Sequence, residues 1–355
     1  MAAKIKEAFL NDVIKEIGEK KGVFSAVLCV ESGDHSFSWT GAVGDMQNDS
    51  QYFIASVTKL YVTAVVMCLI EGGRIGLDDK ISSYLPEEMM EGLHVLKGED
   101  KSDDITVKHL ISNTSGIPDY FFHKTPGGRS PAAELQDGKD GLWHLEKTLK
   151  LVKQLTPNFE PGKKGKAKYS DTNYQLLGRI IEIITEKDMG EVFQKYIFDE
   201  LGLNDTYAYK DITDIKPAAF YYKSKKLWLP NYFASITAEG GIVSTAEEAM
   251  IFLKGFFKGH LFPMEKIADL KKWNLILPPP TLFFYGIGME KLFTPKIASP
   301  FKPITEIIGF WGQTGSFAWY NPDTDLYFTG TTNQVNGAGH IAAQKAIVKI
   351  IKYAL

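Results

Sequence analysis

The apolar run at residues 60–70 constrains the fold of this chain most strongly. It is too short to span a bilayer, so it predicts a helix buried in a protein core. Ser56 and Lys59 stand at its entrance, three residues apart and therefore on one face of the first helical turn. The helix N-terminus adds backbone N–H groups and a positive dipole end, which favour developing negative charge. This arrangement predicts a serine hydroxyl that is activated as a nucleophile.

Two further motifs follow, each at the boundary of a predicted element. Tyr169-Ser170-Asp171 begins an apolar helical run, and the sequence GQTGS at residues 312–316 separates two strand-like stretches. A second Ser-x-x-Lys copy, at residues 299–302, lies in a proline-rich loop that has no helix to carry it. The first copy and the two later motifs, in this order, are much less expected by chance than any one of them. They therefore predict a common active site.

These motifs resemble those of the serine β-lactamase/D,D-peptidase superfamily, on its class C side. That side includes AmpC-type β-lactamases, D-Ala-D-Ala carboxypeptidases, D-aminopeptidases and β-lactamase-like carboxylesterases. The resemblance covers nearly the whole chain, because further family landmarks occur in family order at residues 105–117, 159–162, 238–245 and 285–288.

The resemblance implies an α/β fold of the α+β type, a mostly antiparallel sheet flanked by N- and C-terminal helices. Strand-like runs at both ends of the chain independently predict that the two ends meet in one sheet. We expect residues 1–72 and 214–355 to form this sheet lobe. Residues 73–213 are expected to form an inserted all-helical lobe, with the active site between the two.

The resemblance also implies roles for the motif residues. Ser56 would be the nucleophile that forms an acyl-enzyme, and Lys59 and Tyr169 would share the proton transfers. Which of the two is the main base stays open, because neighbouring groups titrate as a coupled pair. A phenol beside a cationic lysine is expected to be pushed towards ionisation. The backbone N–H groups of Ser56 and Ser316 would form the oxyanion hole.

Four residues are predicted to bind substrate: Asp171, Gln313, Thr314 and Gly315. Asp171 stands where the family most often has Asn, so it either binds Lys59 or caps the helix beginning near Thr172. Gln313 stands where relatives carry a basic residue near the substrate carboxylate. A glutamine offers an amide N–H without charge, which favours neutral esters or amides. Gly315 would let a substrate approach the strand edge closely.

Composition limits the remaining choices. The chain has 355 residues, 44% of them apolar, and a net charge of −3, so it has no electrostatic footprint for nucleic acid. The basic run at residues 163–168 is interpreted as a solvated loop rather than a binding patch. No cluster has metal-ligand spacing, and the proposed chemistry needs neither a metal nor an organic cofactor. The N-terminus lacks an apolar stretch of signal-peptide length, which predicts a cytoplasmic protein, or a periplasmic or secreted one if a signal was removed.

The sequence therefore predicts a serine hydrolase, with a β-lactamase-like carboxylesterase as the leading hypothesis. A class C-type β-lactamase, a D,D-peptidase or a D-aminopeptidase is the first alternative. A penicillin-binding sensor that is acylated without turnover is the second. Its partner would be a small ester, amide or β-lactam, with neither nucleic acid nor membrane expected. The α/β-hydrolase fold is excluded because the chain has no Gly-x-Ser-x-Gly motif.

Overall fold

The computed structural model describes residues 5–124, 128–277, 283–292, 294, 303–335 and 337–355. The second Ser-x-x-Lys copy, at residues 299–302, lies outside the described residues. The α-helices are α1 (Glu7–Gly18), α2 (Thr58–Glu71), α3 (Glu87–Met90), α4 (Val107–Ile111), α5 (Pro131–Gln136), α6 (Leu145–Val152), α7 (Asp171–Thr185), α8 (Met189–Phe193), α9 (Asp199–Leu201), α10 (Pro230–Ser235), α11 (Ala246–Phe257), α12 (Ile267–Leu270) and α13 (Gly337–Ala354). The β-strands are β1 (Ala26–Ser32), β2 (Ser38–Val43), β3 (Tyr52–Phe53), β4 (Val95–Leu96), β5 (Glu99–Asp100), β6 (Tyr207–Ala208), β7 (Phe220–Tyr222), β8 (Lys225–Leu227), β9 (Ile242–Ser244), β10 (Asn274–Leu277), β11 (Phe283–Tyr285), β12 (Glu290–Leu292), β13 (Ile307–Trp311), β14 (Ser316–Asn321) and β15 (Leu326–Thr331).

In the described part of the chain, the largest sheet has eight strands in the order β10-β11-β12-β13-β14-β15-β1-β2. Every neighbouring pair in it is antiparallel. β1 pairs with β15, with Val27 opposite Thr331 and Ser32 opposite Leu326. This pairing confirms that strands from the two ends of the chain meet in one sheet.

Helices cover both faces of the central strands, and β13 and β15 are therefore buried along their whole length. On one face α1 and α13 pack together, and the rings of Phe9 and Tyr353 stack with their centroids 4.1 Å apart. Buried Trp319 and Phe328 belong to the core beneath these helices. On the other face α11 packs against β1 and β15. The mixed α/β fold with a large antiparallel sheet is the predicted one.

The helix α2 lies in the middle of the molecule, as its apolar sequence predicts. It contacts α7, α8, β13 and the π-helical segment Gln194–Phe198. Its residues are buried on every side, including Lys59. A helix that is apolar all round has no face for solvent, so it can be stable only when other elements enclose it.

The segment of residues 73–213 contains more than helices. It includes the short hairpin of β4 and β5, and β6, which pairs with β9 in a three-stranded sheet with β3. The strands β4, β5 and β6 have two residues each, so they are too short for an alternation of apolar and polar residues to be visible in the sequence. The division into two lobes at residues 73 and 213 stays a prediction. Within the described residues, no helix is long and apolar enough to cross a membrane.

Candidate active site

Ser56 lies in a short 3₁₀ helix, Ala55–Val57, that leads into α2. The residue before it, Ala55, has a φ of 45° and is therefore in the left-handed region. This conformation costs a non-glycine residue about 1–2 kcal/mol. The two residues before Ala55 are held by side chains of the GQTGS motif. Phe53 O accepts a hydrogen bond of 2.7 Å from Thr314 Oγ1, and Ile54 O accepts one of 2.6 Å from Ser316 Oγ. The backbone before the nucleophile is thus fixed to the start of β14.

Lys59 is fully buried and bonded on three sides. Its Nζ lies 3.1 Å from Ser56 Oγ, 2.7 Å from Asp171 Oδ1 and 2.7 Å from the carbonyl oxygen of Glu239. A buried ammonium is stable only when it is paired and hydrogen-bonded, and these contacts provide both. The predicted pair of Ser56 and Lys59 is therefore in hydrogen-bond contact.

Two aromatic rings enclose the Lys59 ammonium. Its Nζ lies 5.2 Å from the ring centroid of Tyr169 and 5.3 Å from that of Tyr174. Tyr174 has its own hydroxyl partner, 2.8 Å away on Tyr285. The two π-faces add cation–π attraction in a desolvated place, where it is typically worth about 2 kcal/mol.

Tyr169 donates a hydrogen bond of 2.8 Å from its hydroxyl to Ser56 Oγ. Burial, followed by the carboxylates of Asp171 and Glu290, raises the pKa of Tyr169 well above its usual range. The expectation that Lys59 would push this phenol towards ionisation is therefore wrong in the free protein. The reason is that desolvation and two acidic neighbours outweigh one ammonium that is already paired.

Asp171 is the first residue of α7, and Ser170 is the N-cap. Of the two alternatives for Asp171, the structure therefore shows the contact with Lys59 and not the cap of a helix beginning near Thr172. The Asp171 backbone N–H donates a bond of 2.9 Å to Asp119 Oδ1. This bond fixes the start of α7, and the Asp171 carboxylate thereby stays in contact with Lys59.

Three buried acids near Lys59 were missed by sequence reasoning: Asp119, Glu239 and Glu290. Burial and the charge of Asp171 raise the pKa of Asp119 to about 7 and that of Glu239 well above its usual range. Burial also raises the pKa of Glu290 to about 8. These acids hold their protons more tightly than exposed carboxyls, so part of the cluster is neutral at pH 7.

Each of these carboxyls has partners that fix it. Glu239 Oε1 accepts hydrogen bonds from the Tyr120 hydroxyl and, at 3.3 Å, from Gln175 Nε2. Glu290 Oε2 accepts one of 3.0 Å from the Trp311 backbone N–H. Glu239 lies in the family landmark at residues 238–245, whose glycines indicate only a tight turn. Glu290 lies in a strand-like run that contains no motif. The sequence therefore carried no chemical signal for either.

The GQTGS motif at residues 312–316 lies on the same pocket as Ser56. Gln313 and Thr314 line the same pocket as Ser56. Gly315 has a φ of 84°, and a Cβ atom there would be 2.4 Å from Thr332 Oγ1, which explains the glycine. Ser316 begins β14. The structure thus brings all three predicted motifs together, while the oxyanion role of the Ser56 and Ser316 N–H groups stays a prediction.

A pocket of about 520 Å³, including its open mouth, adjoins Ser56. Its lining is mainly apolar and comes from several distant segments. These apolar and aromatic residues are Phe121, Ala132, Leu135, Phe220, Leu227, Leu229, Tyr232, Phe233, Ile236 and Val335. Among the described lining residues the ionisable side chains besides tyrosine are Asp171 and Glu239, and none is basic. The pocket suits an apolar group attached to a reacting carbonyl.

The family model and the similar proteins of known sequence agree on one family for this chain. The Beta-lactamase family model matches residues 10–350. Penicillin-binding protein 4* of Bacillus subtilis is 29% identical over 213 residues, which are 58% of this chain and 42% of that protein. The N-acetylmuramyl-L-alanine amidase of the same organism is 28% identical over 81% of this chain and 69% of its own length. A putative D-alanyl-D-alanine carboxypeptidase of Salmonella agona is 29% identical over 83% of this chain and 68% of its own.

Solved structures share the fold over nearly the whole chain. A D-stereospecific amidohydrolase from Streptomyces sp. has a TM-score of 0.78 at 24% identity, covering 96% of this chain and 98% of its own. The D-amino acid amidase of Ochrobactrum anthropi has a TM-score of 0.76 at 20% identity, with 96% and 99% covered. EstCE1, described as a hydrolase with promiscuous acyltransferase activity, has a TM-score of 0.75 at 20% identity, with 96% and 98% covered. The family match across the chain and this shared fold show that the protein belongs to the Beta-lactamase family of serine hydrolases.

Proposed function

We propose that the protein hydrolyses uncharged carboxylic esters with an apolar acyl group, through an acyl-enzyme on Ser56. The observation that carries this proposal is the apolar pocket beside Ser56, which Gln313 borders without adding charge. Burial of an apolar group there supplies binding energy of about 0.8 kcal/mol per methylene. The substrate would be held by this burial rather than by an ionic contact.

The contacts of Ser56 support the following chemistry. Ser56 Oγ attacks the ester carbonyl carbon and its proton passes to the pair of Lys59 and Tyr169, both within 3.1 Å of that oxygen. The carbon–oxygen bond to the alcohol then breaks, and the alcohol leaves with a proton returned from the pair. Water attacks the acyl-enzyme in the same way, which releases the carboxylic acid and restores the serine hydroxyl.

Tyr169 keeps its phenolic proton in the free protein, and Lys59 forms an ion pair with Asp171. The proton of Ser56 can pass to Tyr169 only after the phenol has lost its own proton. Acylation through Tyr169 should therefore become faster as the pH rises. Developing negative charge on the carbonyl oxygen would be stabilised by the backbone N–H groups of Ser56 and Ser316, which are typically worth about 3–4 kcal/mol each.

The lining beside Ser56 supports esters over β-lactams and D,D-peptides. A substrate carboxylate in the pocket would find an uncharged amide at Gln313. No described lining residue is cationic, so a buried carboxylate would lose its hydration without gaining an ionic partner from the lining. Carboxylate recognition therefore has no visible partner here.

The carboxyl groups in the lining favour one second candidate, the hydrolysis of amino-acid amides. The carboxyl oxygens of Asp171 and Glu239 can accept hydrogen bonds from an α-ammonium group. Two of the similar structures are described as a D-stereospecific amidohydrolase and a D-amino acid amidase. The two candidates differ in one respect, which is whether a positive charge on the substrate improves the reaction.

A side-by-side assay tests the proposal. The substrates are p-nitrophenyl butyrate, D-phenylalanine amide, a chromogenic cephalosporin and a D-alanyl-D-alanine peptide. We expect the highest kcat/KM for the ester, no activity in Ser56→Ala, and a phosphonate adduct on Ser56 by mass spectrometry. Preferred cleavage of the amide would establish the second candidate. A preference for the cephalosporin or the peptide would contradict the proposal, and a burst without steady-state release would indicate a sensor.

A further inference from the structure

Five lysines from three separate chain segments converge on one surface concavity. Lys108 lies on α4, Lys163, Lys164 and Lys166 lie in the loop before Tyr169, and Lys272 lies between α12 and β10. The concavity measures about 810 Å³ including its open mouth. It shares no lining residue with the pocket beside Ser56. The basic run by itself is interpreted as a solvated loop. The fold adds Lys108 and Lys272, which are far from it in sequence, and this convergence is the reason to consider it again as a binding site.

The charge of this concavity is opposite to that of the whole chain. The protein has 43 acidic and 40 basic residues, yet among the described residues that line the concavity five are lysines and one, Asp78, is a carboxylate. Asp78 Oδ1 lies 3.6 Å from Lys108 Nζ, and the Asp78 side chain is 89% exposed. An exposed ion pair of this kind neutralises little. The concavity therefore keeps a strong positive potential, which attracts anions.

The loop that carries three of the lysines is fixed at both ends. The backbone N–H of Gly162 donates to Thr114 O, and that of Lys168 donates to Asn113 O, both over 2.9 Å. Inside the loop, the Lys166 N–H donates to Lys163 O over 3.0 Å. The lysines are thus presented on an anchored turn rather than on a free chain. This lowers the entropy that a ligand would have to remove.

His109 adds a neutral donor to the same lining. Its Nδ1 accepts a bond of 3.2 Å from the Thr106 backbone N–H, so in the neutral ring the proton is on Nε2. Burial and the charges of Lys80 and Lys108 lower the pKa of His109, so this ring is neutral at pH 7.

The geometry points to this concavity as a binding site for a multivalent phosphate-bearing anion, in addition to the hydrolase site at Ser56. Several ammonium groups around one cup match a compact group with several charged oxygens. The lysines line a concavity and come from three chain segments, so we assign it a free phosphate compound rather than a membrane surface. The site does not depend on the proposed hydrolysis.

The test measures binding of inorganic tripolyphosphate by calorimetry, at an ionic strength kept equal with sodium chloride. The variant replaces three lysines, Lys163→Gln, Lys164→Gln and Lys166→Gln. We expect it to weaken binding at least about tenfold, since three attractive charges are removed. A control with the same loss of charge replaces three exposed lysines at residues 15, 20 and 21 and should change binding less than about twofold.

A footprint provides a second measurement that does not need a variant. Lysine acetylation of the whole protein, with and without tripolyphosphate, is read by mass spectrometry. Protection of Lys108 and Lys272 relative to Lys15 would support the site. The assignment is overturned if the wild type does not bind, if the control loses as much as the loop variant, or if neither lysine is protected. Binding to phosphatidylglycerol vesicles without binding to tripolyphosphate would also overturn it, because that would indicate a flat electrostatic surface.

Discussion

The two sides of Ser56 differ in the kind of interaction that they offer. On the substrate side lies a pocket with mainly apolar walls, including Phe121 and Phe233, and with no basic lining residue among those described. On the other side lies Lys59, fully buried and paired with Asp171, whose carboxyl group lies between Lys59 and the pocket lining. One side can bind by burial of apolar surface, and the other can store and move protons.

This difference teaches that selectivity and activation can be changed separately in this protein. A substitution in the pocket should change which acyl group reacts, because binding energy there scales with buried apolar area. A substitution around Lys59 should slow all substrates together, because every one of them uses the same proton transfers. Each of the following predictions is a way to break or sharpen this separation.

The largest expected effect concerns the proton side. Tyr169→Phe should lower kcat/KM by about two orders of magnitude for every ester, because the bond to Ser56 Oγ is lost while the ring remains. The matched control is Tyr174→Phe, whose ring also faces Lys59 but whose hydroxyl bonds to Tyr285. Steady-state kinetics on both variants is the measurement. Near wild-type rates in Tyr169→Phe would make this residue a packing residue and leave Lys59 as the sole base.

The next effect concerns charge at the border of the pocket. Gln313→Lys should shift the ratio of kcat/KM towards a carboxylate-bearing cephalosporin, relative to a neutral ester, by about ten- to a hundredfold. The reason is that a charge-assisted hydrogen bond contributes about 1.5–3 kcal/mol. Gln313→Met is the control, because it removes the amide without adding charge. If the wild type already prefers the cephalosporin and the lysine changes nothing, carboxylate recognition comes from another residue.

A smaller effect concerns the volume of the pocket. Ala132→Leu fills part of it from α5 and should lower kcat/KM for a p-nitrophenyl octanoate by roughly ten- to fiftyfold, the equivalent of two or three methylenes. The acetate ester should react almost as before. Ala133→Leu, one residue further along the same helix and outside the pocket lining, is the matched control. An equal loss for acetate and octanoate would show that the proton side had been disturbed instead.

The last prediction concerns stability rather than rate, and its dependence on pH. The pKa of Glu290 is raised from about 4.5 to about 8 by burial, so between these values the folded state holds a proton that the unfolded state releases. The free energy of unfolding should therefore decrease as the pH rises from 5 to 8, by up to about 1.4 kcal/mol per pH unit from this group. Glu290→Gln should remove that part of the slope, whereas exposed Glu87→Gln should not. Urea unfolding at several pH values measures it, and unchanged slopes would place the pKa of Glu290 within its ordinary range.

Much of the fold and of the motif geometry could be predicted from the sequence. The reason is that Ser56, Lys59 and Tyr169 each lie near the start of an apolar helical run. The first turns of two buried helices can lie side by side, and their polar residues then face each other. The helix α2 was equally visible, since its apolar residues leave no polar face. The pairing of β1 with β15 followed from strand-like runs at both ends of the chain.

The surroundings of the motifs could not be predicted. Glu239 and Glu290 are single residues in segments far from Lys59, and only the fold brings them near it. The direction of the shift in the pKa of Tyr169 depends on burial and on those neighbours, so a motif alone gave the wrong sign. The apolar pocket has the same origin, because its walls come from segments as distant as Phe121 and Val335.

The strained backbone at Ala55 has a consequence for how the protein fails on heating. Its left-handed conformation persists only while neighbouring carbonyls are held by Thr314 and Ser316 of the facing strand segment. When thermal motion lengthens those two bonds, the peptide can relax to an ordinary conformation and turn the serine away from its partners. Catalysis should therefore fade before the melting transition and return on cooling.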